Sequence, residues 1–188
     1  ERLVGSEMCI RDRLNPINGV SRWESAIGMS RGTNEVERLV DVVAGVSRLG
    51  NIVCARSFQS AVTCMDAQRG FTVWSRTAQG HKGLDGNDAL VFGAESDSKV
   101  LAWQRDNGQP VWTQDALRFR GLTSPIVLGR SLVLGDDAGW LHFLDTQEGK
   151  PLQRVSTDGS AITGSPVAAG ELLLVVTSNG GVFAFRPE

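Results

Sequence analysis

The sequence predicts an all-β fold assembled from a structural repeat of about 40 residues, with one small antiparallel sheet per repeat. The turn glycines Gly70, Gly108 and Gly149 are separated by 38 and 41 residues. A second marker agrees, because Thr123-Ser124-Pro125 and Gly164-Ser165-Pro166 lie 41 residues apart. The chain has 22 glycines and no tyrosine, a composition that suits short strands joined by many turns.

The repeat has a fixed frame around its turn. Asp66 can hydrogen-bond its own backbone two residues further on, and Gly70 tolerates a positive φ, so the pair suits a hairpin turn. Each copy has Asp, Asn or Gln four residues before the glycine, and Trp or Gln four residues after it. The copies are Asn15, Gly19 and Trp23; Asp66, Gly70 and Trp74; Gln104, Gly108 and Trp112; and Asp145, Gly149 and Gln153.

Composition limits the classes of partner. The net charge of the 188 residues is −2, so no electrostatic footprint for nucleic acid or an anionic membrane is visible. No stretch approaches the roughly 18 apolar residues that a transmembrane helix needs, and no signal peptide is visible. We therefore expect no nucleic-acid partner and no membrane-spanning segment in this chain.

The first residues do not follow the repeat. Residues 1–13 show no alternation, turn chemistry or repeat marker, and Met8–Arg13 resembles the translation of a transposon end used in library preparation. We interpret residues 1–13 as non-native sequence that packs against nothing, and residues 14–188 as the partial repeat domain. The alternative is a genuine N-terminal arm.

From residue 14 the chain alternates strands and turns. A turn at Asn15–Gly19 precedes a strand at Val20–Ile27, and the polar stretch Gly28–Glu37 predicts an exposed loop. The further strands are predicted at 51–56, 61–65, 72–77, 89–93, 100–104, 110–114, 125–128, 131–135, 140–144, 151–156, 166–169, 172–177 and 181–185. The last sheet then lacks its final strand, which suggests a natural C-terminus in a ring closed by an N-terminal strand.

The repeated frame resembles the Ala-x-Asp-x-x-x-Gly-x-x-x-Trp docking motif of pyrroloquinoline-quinone (PQQ)-type β-propellers. That resemblance implies four-stranded antiparallel blades in which Trp23, Trp74 and Trp112 pack between neighbouring blades. A side chain of this size buries about 150–250 Å², which is worth several kcal/mol per junction as an upper bound. The alternative is an ordinary core Trp on a β-sandwich strand.

Several segments narrow the resemblance to one family. The loop Ser30–Val42, the runs Leu122–Pro125 and Val133–Leu141, and the ending Gly181–Phe185 are similar to the C-terminal half of the BamB family of outer-membrane assembly factors. The similarity covers residues 14–188. It implies an eight-bladed ring, of which this chain holds about four blades. It also implies a periplasmic lipoprotein of Gram-negative bacteria, at the outer membrane, whose signal and lipid anchor lie outside this sequence.

The resemblance implies partners rather than a reaction. It predicts a non-catalytic scaffold subunit of the β-barrel assembly (BAM) complex that binds the periplasmic POTRA domains of BamA, contacts other BAM subunits and aids insertion of outer-membrane proteins. Unfolded outer-membrane proteins are further expected partners. The alternative is a fragment of a PQQ-dependent quinoprotein dehydrogenase.

Within that family an acidic pair in the loop at residues 28–43 helps to bind BamA. Asp41 matches the first acidic residue, whereas Val43 stands at the second position. Arg38 and Leu39 precede Asp41 and add a charge and an apolar contact, so we expect all three to bind the partner. The alternative is a surface ion pair between Arg38 and Asp41, worth about 0–1 kcal/mol.

No catalytic, cofactor-binding or metal-binding residues are predicted. Quinone enzymes on this fold often carry adjacent cysteines, and no such dipeptide occurs here. Calcium requires six to eight converging oxygens, whereas the candidate acids lie in separate turns where Asp is locally favoured. These acids are Asp85, Asp88, Asp97, Asp136 and Asp137. His81 and His142 lack metal-ligand spacing to a second His or Cys.

Cys54 and Cys64 lie on consecutive predicted strands, ten residues apart. A turn centred on Gln59 places them opposite each other, within reach of a disulfide. The alternative is two small buried side chains, and a one-residue register change would separate them.

Overall fold

The computed structural model describes the backbone of residues 8–29 and 41–186, and the side chains of residues 15–24 and 41–186. All secondary-structure elements in this part of the chain are β-strands, so the predicted all-β class is confirmed. The described residues contain no helix that is long and apolar enough to cross a membrane.

Within residues 8–29 and 41–186, seventeen strands form five antiparallel sheets. They are β1 (Met8–Leu14), β2 (Ser21–Met29), β3 (Ser47–Leu49), β4 (Ile52–Ser57), β5 (Ala61–Asp66), β6 (Thr72–Thr77), β7 (Leu84–Gly86), β8 (Leu90–Ala94), β9 (Val100–Gln104), β10 (Pro110–Gln114), β11 (Ile126–Leu128), β12 (Ser131–Gly135), β13 (Trp140–Asp145), β14 (Pro151–Ser156), β15 (Val167–Ala169), β16 (Leu172–Val176) and β17 (Val182–Phe185).

Each sheet is one blade of a β-propeller, as predicted. Blade 1 is the pair β1–β2; blades 2, 3 and 4 are the four-stranded sheets β3–β6, β7–β10 and β11–β14; and blade 5 is β15–β17. The first strands of successive blades lie side by side: β7, the first strand of blade 3, contacts both β3 and β11, the first strands of blades 2 and 4. Apolar side chains of the middle strands are fully buried, including Phe92, Leu132 and Leu134, and they form the core between blades 3 and 4.

Two short first strands were not expected. The sequence predicts a turn at Asp85 and Gly86 and no strand between residues 28 and 50, whereas the structure has β7 and β3 there. Asp and Gly are depleted in strands, so side-chain pattern gives no signal for β7. Its pairing is made by the backbone, with Asp85 opposite Phe92 on β8.

The turn between the last two strands of a blade repeats as predicted. The Asp66 carboxylate accepts hydrogen bonds from the Gln68 and Arg69 amides at 2.7 and 3.0 Å, and the Gly70 amide donates to the Asp66 carbonyl at 2.8 Å. Asp145 makes the same three bonds in blade 4. Gly70 has a φ of +76°, which a residue with a side chain adopts only at a cost.

Each docking tryptophan contacts the turn glycine of the next blade. The indole N–H of Trp74 donates to the Arg105 carbonyl at 2.7 Å, and its ring lies where a Cβ on Gly108 would meet it at 2.5 Å. The same arrangement joins Trp23 to Ala67 and Gly70, and Trp112 to Thr146 and Gly149. Because the turn glycine has no side chain, the indole ring packs directly against the turn. This contact excludes water from the blade junction.

Residues 8–13 differ from the expectation that this segment packs against nothing. Met8–Leu14 forms strand β1, whose backbone pairs with β2 from Met8 opposite Met29 to Leu14 opposite Ser21. Backbone pairing requires no particular side chains, so a strand edge can accept a sequence that has no propeller pattern of its own. The non-native origin of residues 1–13 and the boundary at residue 14 stay predictions.

Cys54 and Cys64 face each other on β4 and β5. The register pairs them directly, their Cα atoms lie 4.0 Å apart, and the structure joins their sulfur atoms in a disulfide. Both side chains are fully buried beside Trp74 and Val62. The bond lies at the centre of blade 2, where it closes the β4–β5 hairpin.

We predict that Gly149→Ala destabilises the chain more than Gly129→Ala. Both glycines have a positive φ, which costs alanine about 1–2 kcal/mol, but only at Gly149 would the new Cβ meet a ring, that of Trp112 at 2.5 Å. The collision should add about 1–3 kcal/mol to the loss in free energy of unfolding, measured by urea titration. Equal losses for the two variants would contradict the docking role of Trp112.

We further predict that peptide mapping without reductant recovers a cross-linked fragment containing Cys54 and Cys64. The double variant Cys54→Ala/Cys64→Ala should lose about 2–4 kcal/mol of unfolding free energy. Dithiothreitol should lower the stability of the unmodified chain by a similar amount and leave that of the double variant unchanged. Free thiols at both positions in oxidised protein would reject the bond.

Candidate partner-binding surface

One face of the propeller carries the connections between blades together with the turns between second and third strands. We call it the loop face. Backbone hydrogen bonds join the two kinds of segment: the Phe58 amide donates to the Asp41 carbonyl at 2.7 Å, and the Phe119 amide donates to the Asp97 carbonyl at 2.9 Å. Each connection is thereby fixed against a turn of the blade before or after it.

Asp41 lies on a well-anchored part of this face. Its neighbour Val42 bridges to Ser57, and the Val43 amide donates to the Arg56 carbonyl at 2.9 Å. Val42 packs into the cluster formed by Ala55, Met65 and Trp23, whereas Asp41 is exposed. Within the described residues, the Asp41 carboxylate has no ion-pair partner. The exposed carboxylate can pair with Arg38, as in the alternative given above, or with a cation of another molecule.

The other two predicted partner-binding residues, Arg38 and Leu39, lie outside the described residues, as does most of the predicted loop. Their contribution and the alternative Arg38–Asp41 ion pair stay predictions. Val43 at the second acidic position is half-buried, so its side chain contributes packing rather than charge.

A buried ion pair supports the loop face between blades 2 and 3. Arg56 is fully buried; its guanidinium donates to the Glu95 carboxylate at 2.9 Å and to the Ala94 carbonyl. Gly80 and Gly93 leave the space that the guanidinium fills, because a Cβ on either would collide with it. Burial lowers the pKa of Arg56, and the charge of Glu95 opposes that shift. Removing one partner would leave a buried charge unpaired.

A second polar cluster lies in blade 4. Asp136 is fully buried, and its Oδ2 accepts hydrogen bonds from Arg120 Nη1 at 3.0 Å and from His142 Nε2 at 2.8 Å. Its Oδ1 accepts from the Ala138 and Trp140 amides. Burial alone would raise the pKa of Asp136, but these donors outweigh it and hold the pKa below its ordinary value. The carboxylate is therefore held ionised inside the blade.

The connection from blade 3 to blade 4 contains a strained aromatic residue. Phe119 has a φ of +62° and is 78% exposed. The Ser98 hydroxyl, itself buried, accepts hydrogen bonds from the Gly121 and Leu122 amides at 3.1 and 3.4 Å, and Arg118 pairs with Asp97 at 3.0 Å. These contacts fix the loop at residues 115–121 in a conformation that keeps an aromatic ring in solvent.

Sequence reasoning missed these clusters. It placed Asp136 in a turn and treated His142 as a lone histidine, because their neighbour Arg120 is brought to them only by folding. Arg56 is a polar residue within a predicted strand, and its local pattern gives only one weak indication of burial. An Arg followed by Ser in an otherwise apolar run was the only signal available.

Three of the five acidic residues considered as metal ligands, Asp85, Asp97 and Asp136, have structural partners. Asp85 accepts from the Gly86 and Val127 amides at 2.8 Å each, and Asp97 pairs with Arg118 and Lys99. Across residues 8–29 and 41–186, no group of three His, Cys, Asp or Glu side chains has a metal-binding arrangement. The disulfide of Cys54 joins non-adjacent residues, unlike the adjacent pair of quinone enzymes.

Comparison with known proteins gives the family. The model of a family described as outer membrane protein assembly factor BamB matches residues 12–114, more than half of the chain. The chain belongs to the BamB family. The BamB of Burkholderia pseudomallei is 38% identical over 175 residues, covering 93% of this chain and 46% of that protein. The BamB of Bordetella pertussis is 33% identical over 174 residues, or 92% and 45% of the two chains.

Solved structures agree on the fold. The crystal structure of BamB from Moraxella catarrhalis matches with a TM-score of 0.85 at 26% identity, covering 94% of this chain and 53% of that one. A quinohemoprotein alcohol dehydrogenase from Comamonas testosteroni matches with a TM-score of 0.57 at 19% identity, which shows a shared fold alone. The chain spans about half the length of the BamB proteins that it matches.

We predict that the unfolding free energy of Asp136→Asn changes less between pH 7 and pH 3 than that of the unmodified chain. Because the pKa of Asp136 is lowered by folding, its carboxylate stabilises the fold at pH values above the ordinary Asp pKa, and this contribution disappears as pH falls through the lowered pKa. The stability difference between the unmodified chain and the variant, from urea titrations between pH 7 and pH 3, should therefore shrink toward acid. Asp137→Asn is the control, because that neighbour is exposed; a constant difference for Asp136→Asn would contradict the assignment.

Proposed function

We propose that this chain forms part of a non-catalytic scaffold subunit of the BAM complex, which binds the periplasmic POTRA domains of BamA and aids insertion of outer-membrane proteins. Membership of the BamB family carries the proposal, since the relatives are named outer membrane protein assembly factors. That role places the protein at the periplasmic face of the outer membrane, held there by a lipid anchor outside this chain.

The loop face supplies a binding surface of the kind that a scaffold needs. Connections on a rigid propeller can vary without cost to the core, and here they are fixed by backbone bonds to neighbouring turns. Because little order is lost when such a surface binds, more of the contact energy remains as affinity. Arg38 and Leu39 belong to the same connection and complete the proposed contact.

Asp41 is the residue on which this proposal can be tested. Its backbone is fixed by Phe58, and its exposed carboxylate has no ion-pair partner among the residues described. A carboxylate in this position suits an Arg or Lys of the partner. A buried interfacial charge is worth about 2–5 kcal/mol on truncation, whereas a rim charge mainly changes the association rate.

We predict that Asp41→Arg weakens capture of the BamA periplasmic region by the full-length protein. Charge reversal replaces an attraction with a repulsion at the same position, so the loss should reach at least about tenfold in Kd, or 1.4 kcal/mol. The measurement is a pull-down followed by surface plasmon resonance, with circular dichroism to verify the fold.

Asp106→Arg is the matched control, since Asp106 is also exposed but belongs to the opposite face, in the turn between β9 and β10. It should bind like the unmodified protein. Undiminished capture by Asp41→Arg would remove Asp41 from the interface. Failure of the unmodified protein to bind BamA would overturn the scaffold role itself.

A further inference from the structure

A cleft of about 320 Å³ separates the loop at residues 115–121 from strand β14. Leu117 and Arg120 line it from the loop, and His142, Leu152 and Arg154 line it from blade 4. Each wall carries an apolar side chain, Leu117 or Leu152, together with an arginine, Arg120 or Arg154. This combination is typical of sites that bind a charged group of opposite sign together with an apolar neighbour.

The charge of the cleft is positive. Arg120 is neutralised by Asp136, which is itself buried and saturated with donors. Arg154 is exposed and has no ion pair to any carboxylate among the described residues. Arg154 is therefore the cation that is available to an incoming anion.

Arg154 is already held in place. Its guanidinium carbon lies 4.6 Å from the centre of the Trp140 ring, a cation–π arrangement. The ring orients the planar guanidinium and leaves its edge N–H groups free to donate. A planar fork of donors matches the two oxygens of a carboxylate, so a carboxylate fits this position better than a single-point anion does.

The surroundings of the cleft indicate a polypeptide. The loop that supplies Leu117 and Arg120 also carries Phe119, which is 78% exposed, and across the cleft Leu152 is 54% exposed. A small anion would leave both side chains in water. The positive φ of Phe119 costs about 1–3 kcal/mol, and such strain persists where surrounding contacts enforce it and a function uses it. Exposed aromatic residues held rigidly are efficient anchors at protein interfaces.

We propose that this cleft binds an acidic segment of a partner polypeptide, with Arg154 contacting a carboxylate and Phe119 and Leu152 contacting apolar side chains next to it. The site lies two blades along from Asp41, which belongs to the connection before blade 2. The proposal rests on the proposed function only because it treats the chain as a protein-binding scaffold.

The test is fluorescence anisotropy of the full chain with a fluorescein-labelled peptide in which Glu alternates with Leu and Phe, capped at both ends. The same peptide with Gln or Lys in place of Glu is the comparison. Saturable binding of the Glu peptide, at least about tenfold tighter than that of the Gln peptide, is expected. No binding of the Glu peptide, or equal binding of the Gln or Lys peptide, would overturn the proposal.

Two variants locate the site. Arg154→Glu should weaken binding of the Glu peptide at least about tenfold. Arg130→Glu should not, because Arg130 is also exposed but lies in the turn between β11 and β12 and does not line the cleft. Equal losses in the two variants would show a general charge effect and overturn the assignment.

Phe119→Gly separates binding from stability. Glycine adopts the positive φ without strain, so the melting temperature should stay the same or rise while peptide affinity falls. Undiminished affinity would remove Phe119 from the site. The peptide assay contains no BamA, and Asp41→Arg should leave it unchanged, so its outcome is separate from that of the BamA experiment.

Discussion

The contact between a tryptophan of one blade and the turn glycine of the next is the constraint on which this structure depends. A single blade is a small twisted sheet with two apolar faces, and it cannot keep either face from water alone. The indole ring covers the junction, and its N–H finds a backbone carbonyl in the neighbouring blade, so the buried polar atom is satisfied. The turn must then have a glycine, since any side chain would occupy the position of the ring.

The two ends of a blade junction are sealed by different chemistry. At the end with the docking turns the seal is apolar, made by Trp and Gly. At the loop face it is polar, made by Arg56 with Glu95 between blades 2 and 3, and by Arg120 with Asp136 between blades 3 and 4. In each pair at least one charge is fully buried. Such pairs contribute little net stability, and we expect them to penalise alternative arrangements in a ring of similar sheets that must associate in one order.

This division of chemistry leaves the loop face as the surface for partners. Its connections are fixed by backbone bonds and by buried polar groups, so the exposed side chains Asp41 and Phe119 are presented on rigid backbone. Arg154 is presented by strand β14, across the cleft from the loop of Phe119. Each is supported by a buried neighbour: Val42 anchors Asp41, Ser98 holds the loop of Phe119, and the Trp140 ring orients Arg154. Rigidity of this kind reduces the entropy lost when a partner binds.

The sequence by itself determined the repeat, the position of most strands and the docking tryptophans, and it offered the direct opposition of Cys54 and Cys64 as one of two registers, of which the structure has that one. Each follows from local rules: period-2 alternation, turn chemistry at fixed spacing, and hairpin register. Only the tertiary structure decided that β1 pairs with β2, that β3 and β7 exist, and that Arg56 is fully buried. It also decided that Arg120, Asp136 and His142 meet, and that loop 115–121 forms a cleft with β14. Such features depend on backbone pairing or on residues distant in the chain, and neither leaves a periodic signal in the side chains.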